Sequence, residues 1–581
     1  MTRIFILFSL FLIKSGIIFG QTKLPNIIIL LSDDQGWGDL SINGNKNLNT
    51  PNIDKLAKNG VQFDRFYVQP VCSPTRAEML TGRYAPRCGV YSTSEGGERI
   101  NLDEITLADV FKKAGYVTGA FGKWHNGMQY PYHPNAKGFE EFYGFCSGHW
   151  GDYFDAPLEH NGKIVKGKGF MTDDLTNKAM AFMEKNKNRP FLLYVPFNTP
   201  HSPMQVPDKW WAKFKDKPLE MTANGEDPNF TRAALAMCEN LDWNVGRIMQ
   251  KLKQLNLEDN TIVIYFSDNG PNAIRWNGGM KSIKGSTDEG GVRSPLIMQF
   301  PKVIEAGSKI TQISAAIDLL PTLTDLVGIK NESINPLDGV SLKPLLTKKS
   351  QPWNDRLLFS YWNEKVSVRN QQYRLDHQNK LFDMTTDPEQ RVDVSMNNVE
   401  VMNQLKLAVN DWKSTVLVGI KKDTRAFPVG HPDFRYTQLP ARDAKPEGGI
   451  QRSSKHPNSS FFTNWKTISD AIVWNVEVLE EGDFEAEIYY TCSPENVGST
   501  FQLSLNNQQV ISKITKVHNP PLRGMEHDRI PRIESYVKDF KPLKIGIIHL
   551  NKGVGKLTLK ALEVKGAEVM DFRLLMLERV K

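Results

Sequence analysis

Cysteine is scarce in this chain. Five cysteines are spread unevenly over 581 residues, which excludes a fold built on a disulfide framework. The odd count leaves one thiol unpaired, and the sequence does not show whether the others pair. The fold must therefore rest on ordinary hydrophobic cores, and 40% of the residues are hydrophobic.

A strong excess of charge of one sign is also missing. The formal net charge is +7, and no dense run of lysine and arginine occurs. Proteins that follow a phosphate backbone usually carry such a run, so we expect no nucleic-acid partner. The mild positive charge suits an anionic substrate without identifying one.

Long apolar runs are absent after residue 20. Before that point, Arg3 precedes the apolar run 4–13, and small residues lead to Gly20, a pattern typical of a secretory signal peptide. The alternative, a membrane anchor, is disfavoured because Lys14 interrupts the run, which is shorter than the roughly 20 residues of a spanning helix. We predict an exported protein, periplasmic or secreted, without a membrane span.

The chain is too long for one hydrophobic core, so more than one domain is expected. Composition and patterning predict five segments: a signal peptide at 1–20, a large α/β domain at 21–350, a small antiparallel sheet with a closing helix at 351–420, a linker rich in Pro, Gly, Lys and Asp at 421–460, and an all-β sandwich at 461–581.

The large domain alternates short apolar runs with amphipathic stretches. This pattern predicts a mixed, mainly parallel sheet that is buried on both faces and sandwiched by helices. A first helix is predicted at Thr50 and Pro51, where Thr50 is suited to cap the helix and Pro51 to open its first turn. The clearest predicted strands are 26–31, 116–121, 191–197, 261–266 and 295–300.

Polar residues follow four of these strands. Open α/β sheets bind ligands beyond the carboxyl ends of their strands, so we expect these side chains to meet at one edge. Carboxylate and amide oxygens suit Ca²⁺ or Mg²⁺ rather than zinc, although one such pair alone is more often solvated or capping a helix. The residues concerned are Asp33, Asp34, Lys123, His125, His201, Asp268 and Asn269.

Cys72 opens the run Cys-Ser-Pro-Thr-Arg, in which Pro74 is placed to start a helix and Arg76 lies about one turn further on. A helix start puts positive potential near the cysteine side chain. For these five residues alone, a small buried cysteine before a helix is the better interpretation, but the pattern extends beyond them.

The stretch 70–83, PVCSPTRAEMLTGR, resembles the first signature of the type I sulfatases of the alkaline phosphatase superfamily, in which the cysteine is oxidised to formylglycine. The stretch 115–125 resembles the second signature, although Phe121 and Asn126 depart from the usual residues and touch packing more than chemistry. Similar blocks follow in the expected order, so the resemblance covers about residues 24–415. These blocks are 50–54, 199–203, 284–286 with 289–291, and 381–383.

The resemblance implies cofactors and a partner. Asp33, Asp34, Asp268 and Asn269 would bind Ca²⁺, or Mg²⁺, together with the modified Cys72. A formylglycine-generating enzyme would be the partner that oxidises this cysteine. A hydrated aldehyde offers two hydroxyls: one attacks the sulfur of a sulfate ester, and the other lets the sulfated form collapse without water attacking sulfur.

The resemblance also implies catalytic roles for individual residues. Arg76 would hold the formylglycine and the metal-side charges in place, while Lys123 and Lys284 would bind the substrate and neutralise its sulfate oxygens. His201 would contact the substrate and protonate the departing oxygen, with help from Lys284. His125 would assist proton removal from the remaining hydroxyl.

The substrate is less well specified. Trp150 and Tyr153 lie in the loop 149–163, and Arg275 lies near the strand that carries Asp268. Such side chains line carbohydrate sites, but they equally pack a loop onto a sheet, and the sequence leaves both interpretations open. Together with export and an added β-sandwich, they predict a sulfated polysaccharide or oligosaccharide, for example an algal glycan such as ulvan or carrageenan.

Two other functions stay open. A phosphomonoester or phosphonate hydrolase of the same superfamily would share this sheet, and some such enzymes share the formylglycine. A catalytically silent protein that binds sulfated glycans would share the fold. The presence of all six implied catalytic residues disfavours the silent protein.

Overall fold

The structure is a computed structural model that describes residues 24–331, 333–347, 353–420 and 423–580. The predicted signal peptide at 1–20 lies outside the described residues. Within those ranges, no helix combines the length and the hydropathy needed to cross a bilayer.

A mixed sheet, with 11 strands among the described residues, organises the N-terminal part of the chain. The central strand β1 pairs in parallel with β7 and β8, which confirms the predicted mainly parallel sheet. The order is β10-β2-β9-β8-β1-β7-β3-β4-β5-β6, with β11 beside β2. The strands are β1 (Asn26–Ser32), β2 (Val61–Tyr67), β3 (Val117–Lys123), β4 (Glu141–Phe145), β5 (Pro157–His160), β6 (Lys163–Lys166), β7 (Phe191–Pro196), β8 (Thr261–Ser267), β9 (Arg293–Gln299), β10 (Ser308–Ile310) and β11 (Ser314–Ala315).

Hydrophobic cores lie on both faces of this sheet. In β1, Ile28 and Leu30 pack into one buried cluster, while Ile27 and Ile29 pack into the other. This two-sided burial explains why the strand sequence is a continuous apolar run. The helices are α1 (Pro51–Lys58), α2 (Cys72–Thr81), α3 (Leu107–Lys113), α4 (Met171–Asn186), α5 (Asp208–Trp211), α6 (Pro228–Gln254), α7 (Glu289–Val292), α8 (Leu319–Val327), α9 (Lys343–Leu346) and α10 (Val399–Val416).

Helix α1 begins at Pro51 as predicted, but its cap differs from the prediction. The Thr50 side chain makes no capping hydrogen bond. The first backbone N–H groups of the helix are instead bound by Asp242 of α6, whose Oδ1 accepts from Asn52 at 3.0 Å and from Ile53 at 2.8 Å. The long-range carboxylate replaces the local hydroxyl because α1 packs against α6.

A small antiparallel sheet follows, as predicted. Its order is β12-β13-β14-β15, and Leu405 of α10 packs into the cluster formed by Val368 and Leu375 of this sheet. The strands are β12 (Leu358–Trp362), β13 (Lys365–Arg369), β14 (Tyr373–Leu375) and β15 (Leu381–Asp383).

The C-terminal part is a β-sandwich of two sheets, which confirms the predicted extra all-β domain. Trp474, Phe484 and Leu503 lie in the hydrophobic cluster between the sheets. One sheet has the order β16-β21-β26-β23-β24 with β18 beside β21, and the other has the order β19-β20-β27-β22-β25 with β17 beside β27. The strands are β16 (Phe427–Val429), β17 (Tyr436–Pro440), β18 (Lys445–Glu447), β19 (Gln451–Arg452), β20 (Phe462–Thr463), β21 (Ala471–Val478), β22 (Gly482–Thr491), β23 (Thr500–Leu505), β24 (Gln508–Lys513), β25 (Lys541–Leu550), β26 (Gly553–Glu563) and β27 (Asp571–Arg579).

The predicted linker at 421–460 is wrong over much of its length. Strand β16 pairs in parallel with β21, and β17 pairs antiparallel with β27. These strands are three to five residues long and are separated by turns. Pro428 and Pro440 lie within these strands and Gly430 follows β16, so these residues belong to the sandwich rather than to a free connection.

Candidate active site

The carboxyl ends of β1, β3, β7 and β8 meet at one edge of the large sheet. Ser32 at the end of β1 pairs with Ser267 at the end of β8, so the residues after these strands leave the sheet as neighbours. The N–H of Asp33 donates to the carbonyl of Thr199 at 3.1 Å, which ties the end of β1 to the loop after β7. The structure therefore brings the predicted polar residues together.

Oxygen atoms at this edge form a cluster that suits a hard cation. Asp33 Oδ1, Asp34 Oδ2 and Asn269 Oδ1 are buried and have no hydrogen-bond partner. The amide nitrogen of Asn269 donates to Asp34 Oδ1 at 2.8 Å, which fixes the orientation of the amide. Side-chain ligand atoms of Asp33, Cys72 and Asp268 lie within 4.8 Å of one another. Buried oxygens without donors are costly, and a Ca²⁺ or Mg²⁺ ion would satisfy them.

Three cations surround the carboxylates. Lys123 Nζ lies 2.7 Å from Asp33 Oδ2, and Lys284 Nζ lies 2.5 Å from Asp34 Oδ1. Arg76 donates to Asp268 Oδ2 through Nη2 at 2.7 Å and through Nε at 3.1 Å. Three positive charges thus face three carboxylates, so a bound divalent cation would leave the cluster positive and suited to an anionic group.

The carboxyl groups of the cluster have different acidities. Burial opposes ionisation of Asp34, but the charges of Lys284, His201 and Lys123 hold its pKa below the usual value. Burial and the neighbouring Asp33 raise the pKa of Asp268 to about 6. Because Arg76 donates two hydrogen bonds to Asp268, it is the main favourable charge for that carboxylate.

Cys72 is the first residue of α2, two residues earlier than the start at Pro74 that the sequence suggests. The side chain is buried, and burial raises the pKa of its thiol above the usual value, with partial opposition from Lys123. A neutral thiol is a weak nucleophile. The unmodified thiol is therefore poorly suited to act as the nucleophile.

His201 follows β7 and faces the cluster. Its Nδ1 lies 2.6 Å from the carbonyl of Ser202, and its Nε2 lies 3.6 Å from Asp34 Oδ2. Burial lowers the pKa of the imidazole to about 4, against the opposing charge of Asp34. A sulfate ester that enters the site adds negative charge, which would raise this pKa and favour the protonated form.

His125 lies just after β3, with a left-handed backbone at φ 63°. Its Nε2 lies 2.8 Å from the carbonyl of Thr93, while Nδ1 has no partner. A Cβ at Gly148 would come within 2.2 Å of Nε2, so a glycine is required where the two segments meet. The ring is therefore held firmly, and burial keeps its pKa well below the usual value.

His149 was not among the predicted site residues. It follows β4, is buried, and has no hydrogen-bond partner at either ring nitrogen. Its ring centroid lies 5.4 Å from that of His201. No strand is predicted at 141–145, but the structure has β4 there, and this strand places His149 at the same sheet edge.

The structure decides between packing and sugar contact for two of the three predicted substrate contacts. Tyr153 is buried, and its hydroxyl lies 2.9 to 3.2 Å from three backbone carbonyls, so the packing interpretation holds for this residue. Arg275 is also buried and paired with Asp39 at 2.7 Å, which corrects its prediction as a sugar contact. Trp150 is partly buried and stacks on Phe145.

A second group of metal-binding residue types lies elsewhere. His133, Cys146 and Glu159 are buried near one another. Nδ1 of His133 accepts a hydrogen bond from the N–H of Asn135, so Nε2 carries the proton and donates to Glu159. Because Nε2 carries a proton in this arrangement, it has no free lone pair to bind a metal ion. We interpret the contact between His133 and Glu159 as a structural hydrogen bond.

The mainly parallel sheet, the oxygen cluster and the buried cysteine fit an ester hydrolase of the alkaline phosphatase superfamily. The Sulfatase family model matches residues 25–329, and the model of the N-sulphoglucosamine sulphohydrolase C-terminal domain matches residues 284–415. The chain therefore belongs to the sulfatase family and is a sulfuric ester hydrolase.

Curated relatives agree with this assignment. N-acetylgalactosamine-6-sulfatase of Mus musculus is 32% identical over 392 residues, which cover 61% of this chain and 72% of the relative. The uncharacterized sulfatase YdeN of Escherichia coli strain K12 is 30% identical over 406 residues, which cover 59% of this chain and 70% of the relative.

Solved structures show the same fold. Ps i-CgsB in complex with k-i-k-neocarrahexaose is 32% identical, has a TM-score of 0.63, and covers 69% of this chain and 96% of its own. Phosphonate monoester hydrolase of Agrobacterium radiobacter shares only the fold, at 19% identity and a TM-score of 0.51, with coverage of 68% and 96%.

Proposed function

We propose that this sulfatase removes sulfate from a sulfated polysaccharide or oligosaccharide, with formylglycine formed from Cys72 as nucleophile and Ca²⁺ as the resident cation. The observation that carries the proposal is the set of unpartnered buried oxygens on Asp33, Asp34 and Asn269 beside Cys72 and three cations. When present, formylglycine would supply a hydroxyl nucleophile in its hydrated form, and Ca²⁺ would stabilise its negative charge.

The protein's own side chains would orient and charge the site. Arg76 donates to Asp268 and also to the carbonyl of Lys123 at 2.7 Å. It therefore links the residue that follows β8 to the end of β3. Lys123 and Lys284 would neutralise sulfate oxygens as charge shifts during transfer. His201 would give a proton to the departing oxygen, and His125 would take one from the remaining hydroxyl.

The glycan part of the proposal is supported by relatives. Ps i-CgsB is solved with neocarrahexaose, and another relative is named for N-acetylgalactosamine 6-sulfate. We propose an algal glycan of the carrageenan or ulvan type. Export to the periplasm or medium, predicted from residues 1–20, and a formylglycine-generating enzyme as partner belong to the same proposal.

Removing divalent cations should abolish activity and lower stability. With EDTA, buried carboxylates lose their cation, so hydrolysis of p-nitrophenyl sulfate should stop and the thermal unfolding midpoint should fall. Adding Ca²⁺ at about 100 times its Kd should restore activity and about 2.7 kcal/mol of stability. Parallel additions of Mg²⁺ identify the preferred ion. Asp268→Ala should show no such Ca²⁺-dependent gain; an equal gain in that variant would contradict the proposed site.

His201→Ala should affect poor leaving groups most. A sugar alkoxide needs a proton as it departs, so the variant should lose about 10²- to 10⁴-fold in kcat/KM on a sulfated oligosaccharide. A nitrophenolate leaves without protonation, so p-nitrophenyl sulfate should be hydrolysed with a much smaller loss. His160→Ala, which changes a surface histidine, serves as control. Equal losses on both substrates would remove His201 from the proton-donor role.

A phosphoester or phosphonate ester is also anionic, so the cations of the site do not by themselves exclude it as the substrate. Substrate preference distinguishes this alternative from a sulfatase. Parallel assays of p-nitrophenyl sulfate, p-nitrophenyl phosphate and p-nitrophenyl phenylphosphonate should show the highest kcat/KM for the sulfate. A higher value for either phosphorus ester would overturn the sulfatase substrate assignment.

A further inference from the structure

A second cavity lies between the large α/β domain and the β-sandwich. Its volume is about 560 Å³, within the range that small ligands occupy in proteins. Phe145 and Trp150 line it from the large domain, and Tyr489 and Phe540 line it from the sandwich. None of the six proposed catalytic residues lines this cavity, so it is distinct from the sulfate site.

Arg573 of β27 differs from the other buried or half-buried cations of this cavity, whereas Lys166, which also lines it, is exposed to solvent. Three other cations that line the cavity each have a carboxylate partner. Arg442 pairs with Glu98 and Asp443, Arg523 pairs with Asp152, and Lys538 pairs with Asp571. Among the described residues, Arg573 has no such carboxylate partner, and its single protein hydrogen bond goes to the carbonyl of Ser460.

The charge of Arg573 is not compensated by the protein. Burial and the neighbouring Arg442 lower its pKa to about 10, so the guanidinium still carries its charge at neutral pH. A half-buried guanidinium without a counterion is costly, whereas a sulfate or carboxylate would accept paired hydrogen bonds from it. Its centre also lies 5.7 Å from the ring of Trp150, so charge and aromatic surface adjoin.

We propose that this cavity binds an anionic sugar unit of the glycan, through its sulfate or carboxylate group on Arg573 and its ring among the aromatic side chains. The inference rests on the proposed function, because it takes a glycan as the substrate. It assigns the β-sandwich a direct part in substrate binding.

The cavity and the active site share a wall. Asn458 of the sandwich lines the cavity and donates from Nδ2 to the carbonyl of Thr93 at 3.2 Å. That same carbonyl lies 2.8 Å from Nε2 of His125. Ser147, which also lines the cavity, is bound to Asn458 at 2.9 Å. The cavity wall is therefore joined to His125 of the active site through a single backbone carbonyl.

Binding by calorimetry tests the proposal without turnover. In a Cys72→Ala background, a carrageenan hexasaccharide should bind about tenfold or more weakly after Arg573→Gln, because a charge-assisted contact is lost. Arg573→Lys should lose less. Arg579→Gln is the matched control, because Arg579 lies on the same strand and also binds backbone carbonyls but does not line the cavity.

The probes separate the two anionic groups. A chemically desulfated hexasaccharide should bind weakly if sulfate is recognised, and an oligogalacturonate should bind in an Arg573-dependent way if carboxylate is recognised. Equal affinity of the Arg573→Gln variant and its parent for every probe, or no binding of any probe, would overturn the proposal.

Kinetic measurements distinguish a failure of the cavity proposal from a failure of the proposed function. For a chain with Cys72 intact, the loss caused by Arg573→Gln should be about tenfold larger on the sulfated hexasaccharide than on p-nitrophenyl sulfate. If the parent hydrolyses p-nitrophenyl sulfate but releases no sulfate from any glycan, the proposed function fails, whereas the calorimetric result still decides the cavity.

Discussion

Cys72→Ala is expected to reduce kcat/KM for p-nitrophenyl sulfate by about 10⁴-fold or more, because it removes the proposed nucleophile altogether. The fold should persist, since the change deletes one sulfur atom at the start of α2 and leaves the surrounding ion pairs in place. Initial rates and far-UV circular dichroism on the same preparations measure both effects.

The chain offers matched controls for this variant. Every described cysteine is buried and unpaired, so Cys88→Ala removes a comparable thiol that lies outside the carboxylate cluster. Cys88→Ala should keep activity within a few-fold of the parent. Cys72→Ser should be as inactive as Cys72→Ala, because serine offers one hydroxyl and no aldehyde. Substantial activity in Cys72→Ala would remove Cys72 from the mechanism.

Arg76→Met is expected to cost both stability and activity. The guanidinium is fully buried, donates twice to Asp268 and lies 3.7 Å from Asp33. Removing it leaves Asp268 buried without its nearest counterion, which typically costs about 3–5 kcal/mol. Urea unfolding followed by tryptophan fluorescence should show the lower midpoint, and the remaining folded protein should hydrolyse p-nitrophenyl sulfate at least about 10²-fold more slowly.

Arg369→Met separates the two effects. Arg369, the last residue of β13 in the small antiparallel sheet, is also buried and pairs with Glu289 at 3.0 Å. It should lower the unfolding midpoint by a similar amount while the folded fraction keeps most of its activity. If Arg76→Met were no less active than Arg369→Met at equal folded fraction, Arg76 would be structural only.

Much of the site can be predicted from the sequence, because its polar residues follow the ends of apolar strands. The apolar runs of β1 and β8 end directly before Asp33 and Asp268, and His201 follows the end of β7 by five residues. Parallel strands end at a common edge. Such a regularity is local in sequence yet predicts contacts between residues more than 200 positions apart. Asp33, Asp34 and Asp268 meet for this reason.

Other features depend on packing that no local pattern encodes. Asp242 caps α1 from 190 residues away, in place of Thr50. Arg275 forms an ion pair with Asp39, and the hydroxyl of Tyr153 lies within hydrogen-bond distance of three backbone carbonyls. Neither side chain therefore offers its polar group to a sugar. Short strands that contain proline, such as β16 and β17, pair with the longer strands β21 and β27, which lie far from them in the sequence.

The link between modification and activity tests the central claim most directly. The fraction of formylglycine at position 72 can be measured by peptide mass spectrometry in preparations made with and without a co-expressed formylglycine-generating enzyme. Specific activity on p-nitrophenyl sulfate should rise in proportion to that fraction and extrapolate to zero where position 72 is entirely cysteine. Equal specific activity in fully unmodified protein would contradict the account.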